Sequence, residues 1–164
     1  MSGKATADLY DTHGEALRVA APIFRDFGGM RCFEGPVSTV KVFEDNSLVR
    51  AALEERGEGR VLGVDGGGSL RTVLLGDLLA QKALDHGWSG ITINGSGRDS
   101  EELATMPFGV LALGTTPRRS AKEGWGYRDR PVQLLGVTIR PEAWICADAD
   151  GWVIAPAPLQ PQGE

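Results

Sequence analysis

Asp77 is followed, after twenty intervening residues, by Arg98-Asp99, and Glu102 stands three positions beyond Asp99. Carboxylate oxygens are hard ligands that suit a divalent cation such as Mg2+ or Mn2+, and a guanidinium beside them suits an anionic substrate. Such a set acts only if the fold gathers it. A helix over residues 77–86 would descend about 15 Å at roughly 1.5 Å per residue. A strand over residues 90–94 would climb back about 16 Å at roughly 3.3 Å per residue. The two lengths cancel, so Gly76-Asp77 and Arg98-Asp99 are expected at one rim, beyond the carboxyl ends of the strands, where open α/β sheets bind ligands.

Each half of this set also has a structural reading. An aspartate in the first turn of a helix is favoured by the helix macrodipole without any chemistry. Asp99-Ser100-Glu101-Glu102 has the pattern of a capping box, with aspartate at the N-cap and glutamate at N3. Neither reading requires Arg98, and neither predicts that both helix starts share a rim. Their conjunction is what favours a functional site.

Other motifs carry less. Asp65-Gly66-Gly67-Gly68 after an apolar strand invites a nucleotide or S-adenosylmethionine reading, because glycines let a backbone approach a ligand. The dinucleotide fingerprint is G-x-G-x-x-G with an acid at the end of the next strand, where this chain has Asn94, so a tight turn lining a cleft is favoured. His13 and His86 are too isolated for a zinc site, and His86 before Gly87 suits a helix C-terminus. Cys32 and Cys146 have neither C-x-x-C spacing nor a disulfide framework and read as ordinary buried thiols. Trp88, Trp125, Trp144 and Trp152 are scattered, which fits core or interface packing. Lys122-Glu123-Gly124 reads as a solvated loop.

The elements that must position these residues follow from periodicity and punctuation. Residues 6–10 read as a short capped helix, and 16–27 carry apolar residues at helical spacing before Gly28-Gly29. Residues 37–43 alternate as a strand. Asn46 can cap a helix through Arg56 with Leu48, Val49, Ala52 and Leu53 on its apolar face. Residues 60–64 form a short apolar strand, 70–75 a further segment, and 99–104 a short helix leading to a strand over 109–113. A charged loop over 115–130 precedes strands near 132–139, 144–147 and 152–154. Strands and helices alternate early and strands dominate late, which predicts an α/β chain: a layered β/β/α domain with a partly parallel sheet plus an antiparallel sheet.

The 164 residues fit one domain, 1–164, with a loose tail from about 155. Seventeen basic against 22 acidic residues give a net charge of -5, and no basic stripe faces a phosphate backbone, so direct nucleic-acid binding is not expected. No apolar run reaches the roughly 18 residues of a membrane span, and the polar start is not a secretory signal, so a cytoplasmic protein is expected. Glycine is unusually common, 23 of 164 residues, about twice the average share of roughly 7 %. Many sharp turns or close backbone approaches follow.

Phe27-Gly28-Gly29, Val42-Phe43-Glu44-Asp45-Asn46, Val64 to Arg71, Gly76-Asp77-Leu78-Leu79-Ala80 and Arg98-Asp99 together resemble the RraA family over nearly the whole chain. That family comprises regulators of ribonuclease E activity and class II, metal-dependent 4-hydroxy-4-methyl-2-oxoglutarate aldolases. The resemblance implies a homotrimer with sites near subunit interfaces, in which Asp99 holds Mg2+ or Mn2+ directly and Asp77 and Glu102 act through water. It also implies that Arg98, with Asp77, serves catalysis, and that Gly76, Asp77, Leu78, Leu79 and Arg98 bind a small keto acid. The implied activity is cleavage of 4-hydroxy-4-methyl-2-oxoglutarate to two pyruvates, with oxaloacetate decarboxylation through the same enolate. An acid that aldolase members take from a neighbouring subunit has no clear match in this chain. The alternative is a non-catalytic regulator that binds a ribonuclease or helicase. Regulator members tend to depart from the acid-Arg-Asp pattern, which this chain keeps. The methyltransferase label carried by some relatives gains nothing from the glycine turn.

Overall fold

A computed structural model of the chain describes residues 5–134 and 136–159. Its centre is a parallel run of strands: β3 (Phe33–Lys41), β4 (Val61–Asp65), β6 (Gly90–Gly97) and β7 (Gly109–Thr115), with β5 (Val73–Leu75) added alongside β6. Helices α2 (Ser47–Leu53) and α3 (Asp77–Asp85) lie in the connections, and the one-turn α4 (Ser100–Leu103) joins β6 to β7. The far edge of β7 takes the two-residue β2 (Arg25–Asp26) antiparallel. On the other side the sheet turns antiparallel: β3 pairs with β11 (Trp144–Asp148), β11 with β12 (Gly151–Ala155), and β12 with β1 (Arg18–Val19). A short β8 (Tyr127–Arg128) also pairs with β3, and β9 (Val132–Leu134) and β10 (Val137–Ile139) form a separate hairpin.

Period-2 alternation explains the layers. On the central strands Val40, Leu62, Val64, Ile91, Ile93, Val110 and Ala112 point to the core shared with α2 and α3. Their neighbours Val37, Val61 and Leu111 point the other way, into a core with the β9–β10 hairpin and the antiparallel arm. Both faces are covered, so these strands read as near-continuous apolar runs, and the β/β/α layering expected from the sequence is present. Phe33 shows how tightly the second core is packed: a methyl on Gly109 would lie 2.2 Å from its ring and one on Gly90 2.7 Å. The two glycines sit opposite each other in the ladder and leave a slot for that ring.

Several expectations are corrected. Residues 16–27 form no helix; a 3-10 turn (Gly14–Ala16) leads into β1 and then β2. Pro22 has no N–H to donate and pushes its predecessor toward extended geometry, which defeats the apolar spacing. The first helix, α1 (Thr6–His13), runs three residues past the expected end. Cys32 is exposed, because it precedes the β3 ladder, whereas Cys146 is buried. Burial, with Glu34 beside it, pushes the Cys146 thiol up to about 12. Trp125 is exposed while Trp88 and Trp152 are core residues. Within the expected loose tail, Ala155 is buried at the end of β12 and Leu159 packs on the small core under α1; residues 160–164 lie outside the described residues. Among the described residues no helix is long and apolar enough to cross a membrane.

Candidate functional site

The rim forms, but by a different device from the one expected. The strand leading to Arg98 is eight residues long, ending at Gly97, and the helix from Asp77 is nine, so their lengths do not cancel. The meeting is fixed instead by β5. Its pairing sets Val73 beside Ser96 and Leu75 beside Gly97, and the Arg98 amide then donates to the Leu75 carbonyl at 2.9 Å. Two residues after Leu75, past Gly76, the chain begins α3. The two segments are therefore stitched together by backbone hydrogen bonds, independently of helix length.

Asp99 completes the stitch. Its backbone is left-handed, φ 60° and ψ 44°, a conformation uncommon outside glycine, asparagine and aspartate. That turn carries its carboxylate away from its own helix: Asp99 stands at the N-cap of α4 yet makes no side-chain cap there. Oδ2 instead accepts the backbone N–H of Asp77 at 3.0 Å, capping α3 from 22 residues away. The capping-box reading is thus overturned. Gly76 makes room, since a methyl at that position would lie 2.8 Å from Asp99 Oδ2.

Three of the residues singled out by spacing, Asp77, Arg98 and Asp99, meet here, and Glu102 is near enough for its charge to act on Asp77. Arg98 Nε lies 4.0 Å from Asp99 Oδ2, and Nη1 donates to the Pro117 carbonyl at 3.2 Å, while the side chain as a whole stays 43 % exposed and able to meet a ligand. Asp77 is pushed above the ordinary aspartate range, first by burial, then by contact with the Asp99 carboxylate and its charge, and further by the charge of Glu102; the Leu78 amide opposes the shift. Leu78 projects its side chain outward, 78 % exposed, whereas Leu79 turns its side chain into the core, so only main-chain groups of Leu79 can face the rim. Among the described residues no three acidic, histidine or cysteine side chains converge as a direct metal cage. The donor set is nonetheless all oxygen and like-charged, which fits a hard divalent ion that keeps several waters.

The neighbouring glycine turn is structural. Gly66 and Gly68 donate their amides to the Asn94 carbonyl, and Gly67 donates to Asp65 Oδ1, so these amides are committed within the turn. Glu44 secures it from outside by accepting from Ser69 Oγ at 2.6 Å and Arg71 Nε at 2.5 Å, and the Arg71 hydrogen bond is the main reason its carboxyl lies below the usual range. Lys41 pairs with Asp65 at 3.1 Å.

Sequence reasoning missed Asp45. It is fully buried, and its carboxylate accepts the Ser47 amide at 2.9 Å, the Glu123 amide at 2.7 Å and the Trp125 amide at 3.4 Å. Burial alone would raise this carboxyl, but those hydrogen bonds outweigh it and hold it low. The segment expected to be a solvated loop is therefore pinned to the start of α2. The one available signal was an aspartate two residues before a serine at a helix start.

Fold and rim together define a layered α/β protein that presents an acid-Arg-Asp cluster at its strand ends. The family model described as RraA-like, Aldolase/RraA, matches residues 6–154, and the chain belongs to this family. It is 54 % identical over 156 residues, 92 % of this chain and 94 % of the relative, to a protein of Burkholderia mallei (strain SAVP1) named "Putative 4-hydroxy-4-methyl-2-oxoglutarate aldolase". Burkholderia pseudomallei (strain K96243) has a relative of the same name and identity, with the same coverage of both chains. Among solved structures, the RNA-processing inhibitor RraA from Thermus thermophilis matches with TM-score 0.93 and 48 % identity, covering 97 % of this chain and 96 % of that one. A structure from Geobacillus kaustophilus HTA426, named as an S-adenosylmethionine: 2-dimethylmenaquinone methyltransferase, matches with TM-score 0.93 and 51 % identity, covering 95 % and 97 %.

Proposed function

We propose that this protein is a divalent-metal-dependent lyase that cleaves 4-hydroxy-4-methyl-2-oxoglutarate to two pyruvates and decarboxylates oxaloacetate through the same pyruvate enolate. The observation that carries the reading is the Asp99 carboxylate seated on the Asp77 amide with Arg98 beside it. The aldolase name of the 54 % identical relatives supports it.

In this mechanism Asp99 would hold Mg2+ or Mn2+ directly, and Asp77 and Glu102 would hold it through water. The cation would supply Lewis-acid polarisation of the 2-keto oxygen. Arg98 binds the keto acid and stabilises the negative charge that develops on that oxygen as the carbon-carbon bond breaks. The amino end of α3, around Leu78 and Leu79, receives the substrate carboxylate, because helix N-termini favour anions. Asp77, whose carboxyl burial and the neighbouring carboxylates push upward, orients the water that takes the 4-hydroxyl proton. A water then protonates the enolate to give pyruvate. No Schiff-base lysine is required. The active assembly is a homotrimer, whose mass in solution light scattering would measure.

The test is pyruvate release from oxaloacetate and from 4-hydroxy-4-methyl-2-oxoglutarate, with and without EDTA. EDTA-sensitive release above the free-ion background supports the lyase; equal release with and without protein sinks it. The second reading, a regulator that binds a ribonuclease E-type enzyme or an associated helicase, is favoured by the likeness to the Thermus inhibitor. A pull-down with such an enzyme, together with its cleavage rate, separates the two.

A further inference from the structure

A cavity of about 700 Å3 opens where β1 and β12 approach the end of the β9–β10 hairpin, and it shares no residue with the Arg98 rim. Register fixes one wall: Arg18 stands directly opposite Ile154, whose side chain packs into the core shared with the hairpin, so Arg18 lies over that same face. Along the hairpin, Val137 and Ile139 are buried, whereas Thr138 and Arg140 alternate with them, are exposed and line the cavity. Glu15, in the 3-10 turn before β1, supplies the remaining charge on the lining. All three charged side chains are exposed, and none is in an ion pair or a hydrogen bond among the described residues.

We propose that this cavity binds an acidic α-amino acid, with its two carboxylates on Arg18 and Arg140 and its ammonium on Glu15. The lining carries two guanidiniums and one carboxylate, and the ligand carries two carboxylates and one ammonium, so every charge meets its opposite. Guanidinium forks hold carboxylates through two parallel hydrogen bonds, and Tyr10 and Thr138 add hydroxyls to the lining. Like charges gathered on one cavity repel, and a bound counter-charge relieves them. Other cavities lack this set. At the one lined by Lys41 and Glu44 both charges are engaged, with Asp65 and Arg71. The charged groups of two more are carboxylates alone, Glu34 and Glu58 in one, Asp26, Asp148 and Asp150 in the other. A simple dianion such as phosphate would leave Glu15 opposing it, a repulsion that the amino acid avoids. Because the charged groups are exposed and the cavity is larger than the ligand, binding is expected to be weak and to fade with salt.

The experiment is a titration of the protein with L-glutamate at low ionic strength, followed at the backbone amide NMR signals of Arg18 and Thr138. Saturable shifts are expected, and Arg18→Gln or Arg140→Gln should each weaken binding about tenfold, as losing a charge-assisted fork would. Arg140→Lys, which keeps the charge without the fork, should fall between wild type and Arg140→Gln, and serves if Arg140→Gln fails to fold. Glutarate, which lacks the ammonium, should bind more weakly than L-glutamate, and Glu15→Gln should erase that preference. Arg98→Ala should leave the titration unchanged, which separates this cavity from the rim, and so should Arg56→Gln, at an exposed arginine outside the cavity. Absence of saturable shifts, L-alanine or inorganic phosphate binding as tightly as L-glutamate, no preference over glutarate, or equal weakening by Arg56→Gln would overturn the proposal. Lyase activity plays no part in the readout, so this proposal and the lyase fail separately.

Discussion

Asp99→Gly separates the chemistry of the rim from its architecture. The Asp99 carboxylate caps α3 through the Asp77 amide, and losing a helix cap costs about 1 kcal/mol. The left-handed backbone at φ 60° favours glycine over a residue with a Cβ by roughly 1 kcal/mol. In Asp99→Gly these two terms oppose and nearly cancel, and relief of the crowding on Asp77 helps further. Asp99→Ala loses the cap and keeps the strain, so it should be about 1 kcal/mol less stable than the glycine variant. For a domain of this size that is a difference of roughly 2 to 4 °C in Tm. Both variants should lose EDTA-sensitive pyruvate release, which a coupled lactate dehydrogenase assay measures beside the thermal melts. EDTA-sensitive turnover surviving in Asp99→Gly would remove Asp99 from the site. Equal melting of the two variants would refute the account of the turn.

Arg98→Ala should lower oxaloacetate turnover by roughly 10² to 10³, about 2.7 to 4 kcal/mol by analogy with deleting an oxyanion donor, while the melt barely changes because the side chain is part exposed. Arg98→Lys should restore little of it, since an ammonium cannot reproduce the planar fork. Burial raises Asp148, but the Thr6, Asp150 and Gly151 hydrogen bonds outweigh it and leave the carboxyl below its ordinary value. Its contribution is therefore present above the unfolded value, about 3.9, and is lost as pH falls through the folded one; amide exchange in α1 should accelerate in acid, and Asp148→Asn should flatten that dependence. Asp45→Ala strands buried amide donors and should cost about 1 to 3 kcal/mol, with limited proteolysis near Glu123 as the check.

Residue types and spacing carried the layer architecture and the four members of the rim, because both depend on patterns the chain repeats locally. Alternation divided the strands between two cores, and the twenty-residue gap marked two helix starts that the fold brings together. What could not be read is who caps whom. Ala5 and Gly76 stand at the N-caps of α1 and α3 without a capping side chain, and the carboxylates that serve those helices come from Asp148 and Asp99. Asp45 likewise holds amides 78 and 80 residues away. A local motif search assigns such aspartates to the nearest helix, as the capping-box pattern did for Asp99, because nothing in a short window records a left-handed turn or a distant strand pairing. At Asp99 that error hides the site. An aspartate that caps its own helix would be used up locally, whereas one that caps a distant helix draws Asp77, Arg98 and Glu102 into a single electrostatic neighbourhood.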